Sequence, residues 1–257
     1  MPGIVTDLSA PPQTPAAPSS AVDSARAGYA AWREGRLASV AAPTGNLALI
    51  ETRWLAAGDE TTPEDALAGQ PETVTATELT RRNLETGEPE RGIRLWDAAS
   101  PAIRAFETID AFAFDPDWVV EAEFHPVAAD RTVPFEHLRD NGLTRELVVP
   151  GDITFTRDGV DYTLSAFDDD GTLLLVFADA TNGADGEDGT YASGRFLFVE
   201  RDGDRVVLDF NRAFVPPCGF SAQYNCPLPP VANRFPLPIR AGEKNVVFRD
   251  GFDIYAA

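Results

Sequence analysis

The sequence predicts a mainly β fold, an antiparallel β sandwich or partly closed barrel preceded by one N-terminal helix. Two observations lead to this prediction. The second half of the chain alternates short apolar segments with turns, and Asp-Gly pairs stand at residues 158–159, 170–171 and 202–203. Asp-Gly is typical of tight hairpins because both residues tolerate positive φ. Helical spacing, in contrast, extends over several turns in only one stretch, and many short strands with almost no helix favour a sandwich or barrel.

That one helical stretch follows an aperiodic N-terminus. Residues 1–20 are rich in proline, which predicts a disordered tail. From Ala21 to Val40, Tyr29, Trp32 and Leu37 recur at helical spacing and predict a helix, although Gly35 weakens its second half. The remainder, residues 21–257, is expected to form a single mainly-β domain, or two β subdomains at residues 21–125 and 126–257.

Strand-like periodicity follows along the rest of the chain. In the first half we predict strands at residues 46–56 (where a helix is the alternative), 73–80, 91–96, 103–106, 109–114 and 118–124, with one helical turn after Thr62-Pro63. In the second half we predict strands at residues 146–149, 152–157, 162–167, 172–178, 195–200 and 205–210.

The charge of the chain limits its partners. The 257 residues carry a formal net charge of −20, with 41 acidic against 21 basic residues. Nucleic acid is a poor partner for such a surface because phosphate binding needs clustered Lys and Arg, and an anionic membrane would repel it. We therefore predict neither a nucleic-acid nor a membrane partner.

The choice of charged residues indicates an environment. Lys244 is the only lysine, so the other 20 basic residues are arginine. An acidic surface keeps a protein hydrated and separate in concentrated salt, and we interpret the composition as that of a salt-loving microbe, an archaeon. An ordinary acidic protein is the alternative. We expect a cytoplasmic protein, because neither a secretion signal nor an apolar stretch of roughly 18 residues is visible.

One stretch, residues 190–244, concentrates polar groups among Phe, Leu and Pro. The polar side chains in it that carry several hydrogen-bonding groups are Arg195, Asp209, Asn211, Arg212, Asn233, Arg234, Glu243 and Lys244. Such groups are costly inside a protein unless they meet one another or a ligand. The stretch therefore predicts a place where polar groups converge.

Strand alternation suggests how part of this group is arranged. Asp209 and Asn211 share one face of their strand, and Arg195 starts the neighbouring hairpin strand, so an Arg195–Asp209 pair is geometrically feasible. The prolines around these residues build rigid walls that suit a preformed ligand site. They suit equally a packed loop that the charges merely tie down.

Our leading hypothesis is a pocket for a small, anionic molecule. Its predicted ligand-binding residues are Tyr191, Arg195, Asn211, Arg212 and Asn233. If the protein is an enzyme, acid–base hydrolysis by the predicted catalytic residues Asp209, Glu243 and Lys244 is the most economical scheme. The alternative is a non-enzymatic binding or structural module in which the same cluster only stabilises the proline-rich loops. The sequence indicates no particular cofactor and no oligomeric state.

Two cysteines, Cys218 and Cys226, lie within the same stretch. Two buried free thiols are the favoured interpretation, with a disulfide and a zinc site as alternatives. His125 and His137 are far away in sequence, so we predict no metal site and no thiol catalysis.

These segments resemble a bacterial and archaeal family of domains of unknown function. The resemblance rests on four ordered motifs: T-Y-x-x-G-R-F-L at Thr190–Leu197, D-F-N-x-A-x-x-P-P-C at Asp209–Cys218, C-P-x-P-P-x-x-N at Cys226–Asn233, and A-G-E-K at Ala241–Lys244. Upstream segments at Trp32–Leu37, Trp54–Gly58 and Arg94–Asp97 also look familial, so the resemblance spans residues 27–245. This sequence departs by an acidic loop at Gly183–Gly189 and by Phe214-Val215, where the family more often has an aromatic residue followed by Asn. The resemblance implies no reaction.

Overall fold

A computed structural model of the protein describes residues 19–84 and 86–256. The predicted tail lies outside the described residues up to residue 18, and its last two residues, Ser19 and Ser20, begin the first helix.

Three α-helices and thirteen strands make up the described chain. The helices are α1 Ser19–Val40, α2 Pro63–Ala66 and α3 Pro101–Ala105. The strands are β1 Leu49–Trp54, β2 Val74–Arg82, β3 Pro89–Asp97, β4 Phe106–Ala111, β5 Val119–Pro126, β6 Thr132–Glu136, β7 Thr144–Val148, β8 Gly151–Arg157, β9 Val160–Asp169, β10 Thr172–Phe177, β11 Arg195–Asp202, β12 Arg205–Asp209 and β13 Glu243–Phe248.

Six antiparallel strands close into a barrel in the order β10-β11-β12-β5-β8-β9. The pairing of β9 with β10, in which Leu174 lies opposite Phe167, completes the ring. The other strands form a three-stranded sheet in the order β1-β3-β2 and two two-stranded sheets, β4-β13 and β6-β7. The mainly-β prediction with one N-terminal helix is therefore confirmed, and its barrel alternative is the one observed.

Alternating side chains fill the barrel. Ile153, Leu164, Leu175 and Leu208 are each fully buried in the main core cluster. The opposite faces of the same strands are also covered in places. Phe196 of β11, for example, packs outside the barrel in a second cluster together with both cysteines. A barrel covered on part of its outside offers room for sites between its wall and the outer elements.

The predicted strand at residues 103–106 is wrong, because residues 101–105 form α3. The hydroxyl of Ser100 accepts a hydrogen bond from the Ile103 amide at 3.0 Å and donates one to the Leu47 carbonyl at 2.7 Å. Pro101 occupies the first helical turn, where its missing N–H costs nothing. The Ser100 cap and Pro101 thus favour a helix where the short apolar run predicted a strand. Strands β6 and β13 were not predicted, and Pro134 interrupts the pattern of β6.

None of the helices among residues 19–84 and 86–256 is long and apolar enough to cross a membrane.

The A-G-E-K segment contains a glycine that the fold requires. Gly242 has φ +80°, and a Cβ there would lie 2.6 Å from the Ala213 carbonyl oxygen and 2.7 Å from that of Phe210. Both obstructions are backbone atoms, which cannot swing away. This close approach lets β13 start beside the loop that follows β12.

We therefore expect Gly242→Ala to lower the free energy of unfolding more than Gly203→Ala. Gly203 also has positive φ, +61°, but open space where a Cβ would stand. The control should cost about 1–2 kcal/mol for the left-handed backbone alone. Gly242→Ala should cost about 1–3 kcal/mol more because of overpacking. Urea unfolding of both variants measures the difference, and equal losses would contradict the close-approach argument.

Candidate functional site

Arg195, a predicted ligand-binding residue, is fully buried and bound by its own chain. Its Nη2 donates to Asp179 Oδ2 at 2.7 Å and to the Ile239 carbonyl at 2.8 Å. Its Nη1 donates to the carbonyl oxygens of Ala241 and Glu243. Burial lowers the pKa of the guanidinium, and the charge of Asp179 opposes that shift. Four of its five N–H groups are thus used inside the protein.

The two predicted amides, Asn211 and Asn233, are also fully buried and hydrogen-bonded. The Oδ1 of Asn211 accepts from the Asp115 amide at 2.8 Å, and its Nδ2 donates to the Asp115 carbonyl and to Asp209 Oδ1, both at 2.9 Å. Asn233 bonds both backbone groups of Ser165 in β9, and a carbonyl of β10, at 2.8–2.9 Å. Each amide therefore ties an irregular segment to the barrel.

Glu243, a predicted catalytic residue, is a fully buried carboxylate that connects α1 to the proline-rich loop. Its Oε1 lies 3.2 Å from Arg36 Nε and 3.5 Å from Arg33 Nη1. Its Oε2 accepts a hydrogen bond from the Val215 amide at 2.8 Å, and Arg36 also donates to the Val215 carbonyl. Burial raises the pKa of Glu243, while Arg36 and the Val215 amide act in the opposite direction.

Lys244 lies on the other face of the same strand. Its Nζ is 2.9 Å from Asp110 Oδ2 and 5.1 Å from the centre of the Phe112 ring. Because successive strand residues point to opposite faces, Lys244 and Glu243 do not share a site. The structure thus separates two of the three predicted catalytic residues.

Tyr191 lies beside the thiol pair. Its hydroxyl is 3.1 Å from that of Tyr255, which also donates to the Cys218 carbonyl at 3.2 Å. Cys218 and Cys226 are buried free thiols, in agreement with the favoured prediction, and the Cys218 amide donates to Cys226 Sγ at 3.3 Å. The side-chain hydrogen bond with Cys226 lowers the pKa of Cys218, and the same contact raises the pKa of Cys226. Burial raises the pKa of Tyr191.

The described residues contain no group of three or more His, Cys, Asp and Glu side chains that could hold a metal ion.

Three predicted residues have a buried polar atom without a hydrogen-bond partner: Arg195 at Nε, Asp209 at Oδ2 and Arg212 at Nε. Asp209 Oδ1 accepts from both nitrogens of Asn211, and Asp209 Oδ2 lies 3.4 Å from Arg212 Nε. That ion pair lacks hydrogen-bond geometry, so Oδ2 and Nε are both buried without a hydrogen-bond partner. Burial raises the pKa of Asp209, and the Asn211 hydrogen bond only partly opposes it. The feasible Arg195–Asp209 pair does not form, because Arg195 is paired with Asp179.

Asp209 and Arg212 line a cavity of 310 Å³, here called the α1 cavity, between the first half of α1 and the barrel strands β11 and β12. Its other main lining residues are Ser24, Trp32, Phe198, Glu200, Val207 and Phe214. Val207, two residues before Asp209 on the same strand face, also lines the cavity. Asn211, which was predicted to share a face with Asp209, lies beyond the end of β12 in a 3-10 turn at Phe210–Arg212 and does not line it. Strand alternation could not reveal Trp32 or Phe214, because they reach the cavity from other elements.

Six of the eight predicted site residues do not line the α1 cavity. They are Tyr191, Arg195, Asn211, Asn233, Glu243 and Lys244. Among them, the four that are fully buried are Arg195, Asn211, Asn233 and Glu243. The predicted site therefore divides into a group bonded within the protein and an Asp209–Arg212 pair that faces a cavity.

Comparison with known proteins gives a family and no activity. The model of a family described as protein of unknown function (DUF1684) matches residues 104–244, more than half of the chain. The four motifs between Thr190 and Lys244 lie inside this range, and the upstream segments at Trp32, Trp54 and Arg94 lie outside it. A solution NMR structure of an uncharacterized protein from Haloarcula marismortui is 32% identical, with a TM-score of 0.43, and the match covers 55% of this chain and 77% of that one. A comparison with curated proteins finds no match.

The contacts of Arg195 predict a large effect of its loss on stability. We expect Arg195→Gln to lower the free energy of unfolding by roughly 3–5 kcal/mol, because it leaves the Asp179 carboxylate buried and unpaired. Arg205→Gln is the matched control, since it also removes one positive charge but breaks a pair with Glu121 whose arginine is 79% exposed. The control should cost less than about 1 kcal/mol. Denaturant unfolding of both variants tests this, and similar losses would contradict the role given to Arg195.

The raised pKa of Asp209 predicts a pH dependence of stability. Between the unfolded value, about 3.9, and the higher folded value, the native state binds more protons than the unfolded state. The stability of the wild type should therefore fall as pH rises through this window, relative to Asp209→Asn, which cannot ionise. Unfolding free energies of both proteins between pH 4 and 8 measure this difference, and a constant difference would show that burial does not shift Asp209.

Proposed function

Because the chain belongs to the DUF1684 family, whose description gives no activity, we propose its function from the site itself: it binds a small molecule in the α1 cavity. Asp209 and Arg212 make the polar contacts, and the aromatic rings of Trp32 and Phe214 enclose the apolar part of the ligand. The chemical class of the ligand follows from the polar atoms in this cavity that have no hydrogen-bond partner within the protein.

The observation that supports this proposal most is the pair of unsatisfied atoms. Asp209 Oδ2 and Arg212 Nε are buried without a hydrogen-bond partner, and their residues line the same cavity. An unsatisfied buried polar group costs about 1–3 kcal/mol, and more when it is charged. A ligand that accepts a hydrogen bond from Arg212 and donates one to Asp209 recovers this cost, which favours binding at this site.

The charges around the cavity favour a particular ligand class. Two carboxylates, Glu200 and Asp209, face one guanidinium, Arg212. A simple anion of the kind predicted from the sequence would meet net repulsion here. We therefore propose for this cavity a neutral or zwitterionic molecule that carries a donor, an acceptor and an apolar body.

We propose binding rather than hydrolysis. A raised pKa suits Asp209 to carry a proton. The predicted partners are engaged elsewhere, however: Glu243 with Arg33 and Arg36 of α1, and Lys244 with Asp110. The hydrolytic scheme would then depend on Asp209 alone.

For the fully buried group, a structural role is the second proposed function. Arg195, Asn211, Asn233 and Glu243 have no exposed surface and bond to residues of distant elements. This favours the alternative interpretation of the sequence for these four residues, in which they hold the proline-rich loops on the barrel. We also propose a cytoplasmic location and a salt-rich environment. The single lysine among 21 basic residues supports the salt-rich environment.

The proposal predicts a ligand-dependent rise in melting temperature. Screening neutral and zwitterionic metabolites should yield compounds that stabilise the wild type by mass action. The same compounds should change the tryptophan fluorescence, to which Trp32 in the cavity wall contributes. The apparent affinity calculated from this stabilisation should be about tenfold lower in Arg212→Gln and in Asp209→Asn, because each variant loses one charge-assisted hydrogen bond. Arg240→Gln, at an exposed arginine paired with Asp188, is the matched control. Stabilisation that is equal in all four proteins, or absent throughout the screen, would argue against binding at this cavity.

A further inference from the structure

A second cavity, of 470 Å³, lies between the β1-β3-β2 sheet and the segment that joins β6 to β7. Four arginines and one aspartate are the charged residues that line it: Arg81, Arg94, Arg139, Arg145 and Asp140. It shares no lining residue with the α1 cavity. We call it the arginine cavity.

Two of the four arginines are neutralised by carboxylates. Arg81 Nε lies 2.6 Å from Glu90 Oε2. Arg145 makes a bidentate pair with Asp140, at 2.7 and 3.0 Å. These pairs account for the acidic groups at the cavity and leave its other two arginines without a counter-charge.

Arg94 and Arg139 form no ion pair within residues 19–84 and 86–256. The Nε of Arg94 is buried without a hydrogen-bond partner, and its guanidinium stands 5.2 Å from the centre of the Tyr224 ring. Arg139 donates from Nε to the Tyr224 carbonyl at 3.2 Å, and its amide is held by Asn225 Oδ1 at 2.8 Å. Both arginines are thus positioned against Tyr224 while their charges stay uncompensated.

The charge of the whole chain makes this arrangement unusual. Acidic residues outnumber basic ones 41 to 21, so carboxylates are abundant enough to pair with every arginine. Two unpaired guanidinium groups at one cavity repel each other, and this repulsion is relieved when an anion lies between them. His137 adds no positive charge to the cavity at neutral pH, because burial lowers its pKa while its Nδ1 donates to the Phe135 carbonyl.

We infer that the arginine cavity binds a small multivalent oxyanion, a phosphate ester or a di- or tricarboxylate, held by Arg94 and Arg139. The planar guanidinium presents paired N–H donors that match the oxygens of phosphate and carboxylate groups. The volume exceeds what a single phosphate group fills, so the remainder accepts an organic part beside Trp54. This ligand class is anionic, unlike that proposed for the α1 cavity.

Titration calorimetry of the whole chain with inorganic pyrophosphate and with citrate, at constant ionic strength, tests this inference. The wild type should bind at least one of the two probes. Arg139→Gln should weaken that binding about tenfold or more, because one charge-assisted contact is lost. Arg94→Lys keeps the charge and the packing on Tyr224 but loses the paired donors, and it should weaken binding to a similar degree. Arg240→Gln, which removes an equal charge at an exposed arginine that does not line the cavity, should bind as the wild type does.

Comparison of the two probes identifies the oxyanion, since preference for pyrophosphate indicates a phosphate ester and preference for citrate a carboxylate. Thermal unfolding of each variant shows whether it is folded. Arg139 is exposed, so its substitution leaves a folded protein, and a loss of binding in that variant reports on the cavity and not on unfolding. Failure of both probes to bind the wild type at millimolar concentration would overturn it. Equal weakening by Arg139→Gln and Arg240→Gln would also overturn it, because long-range charge alone would then explain the binding.

Discussion

The buried pair of Arg195 and Asp179 determines how the last quarter of the chain lies on the barrel. Both side chains have no exposed surface, and the guanidinium also holds the carbonyls of Ile239, Ala241 and Glu243. One side chain thereby holds three carbonyls of the segment that leads into β13. A guanidinium can do this because its donors point in several fixed directions in one plane, whereas an ammonium has three donors on a single atom.

The position of Glu243 depends on that anchor, and the α1 cavity depends on Glu243. The carboxylate lies at the start of β13 and binds Arg33 and Arg36 of α1, which places the helix against the loop at Val215. The helix in turn supplies Trp32 to the cavity wall. A chain of buried polar contacts therefore runs from the barrel to the helix. Glu243 does not line the cavity, yet it helps to shape it in this way.

The sequence predicted the class of fold and the buried polar residues, and it could not predict their partners. Asp-Gly turns and alternation are local signals, so the hairpins around Asp158 and Asp170 were found. Alternation left Asp209 as a feasible partner of Arg195, because nothing local shows that Asp179 is buried beside it. The arginine cavity was missed for the same reason. Its unpaired residues, Arg94 and Arg139, come from distant segments and each looks like an ordinary surface arginine.

The degree of hydrogen-bond satisfaction separates the residues that are bonded within the protein from those proposed to bind a ligand more sharply than residue type does. Asn211 and Asn233 use their donors and acceptors inside the fold, and adding a ligand there would break bonds without forming better ones. Arg212 and Arg94 are chemically like Arg195, yet each keeps a buried Nε without a partner beside a cavity. Arg195 also has an unpaired Nε, but its other four N–H groups are taken, and its guanidinium lies over the ring of Phe177. A free polar atom therefore points to a ligand only where open space adjoins it, a condition that Arg212 and Arg94 meet.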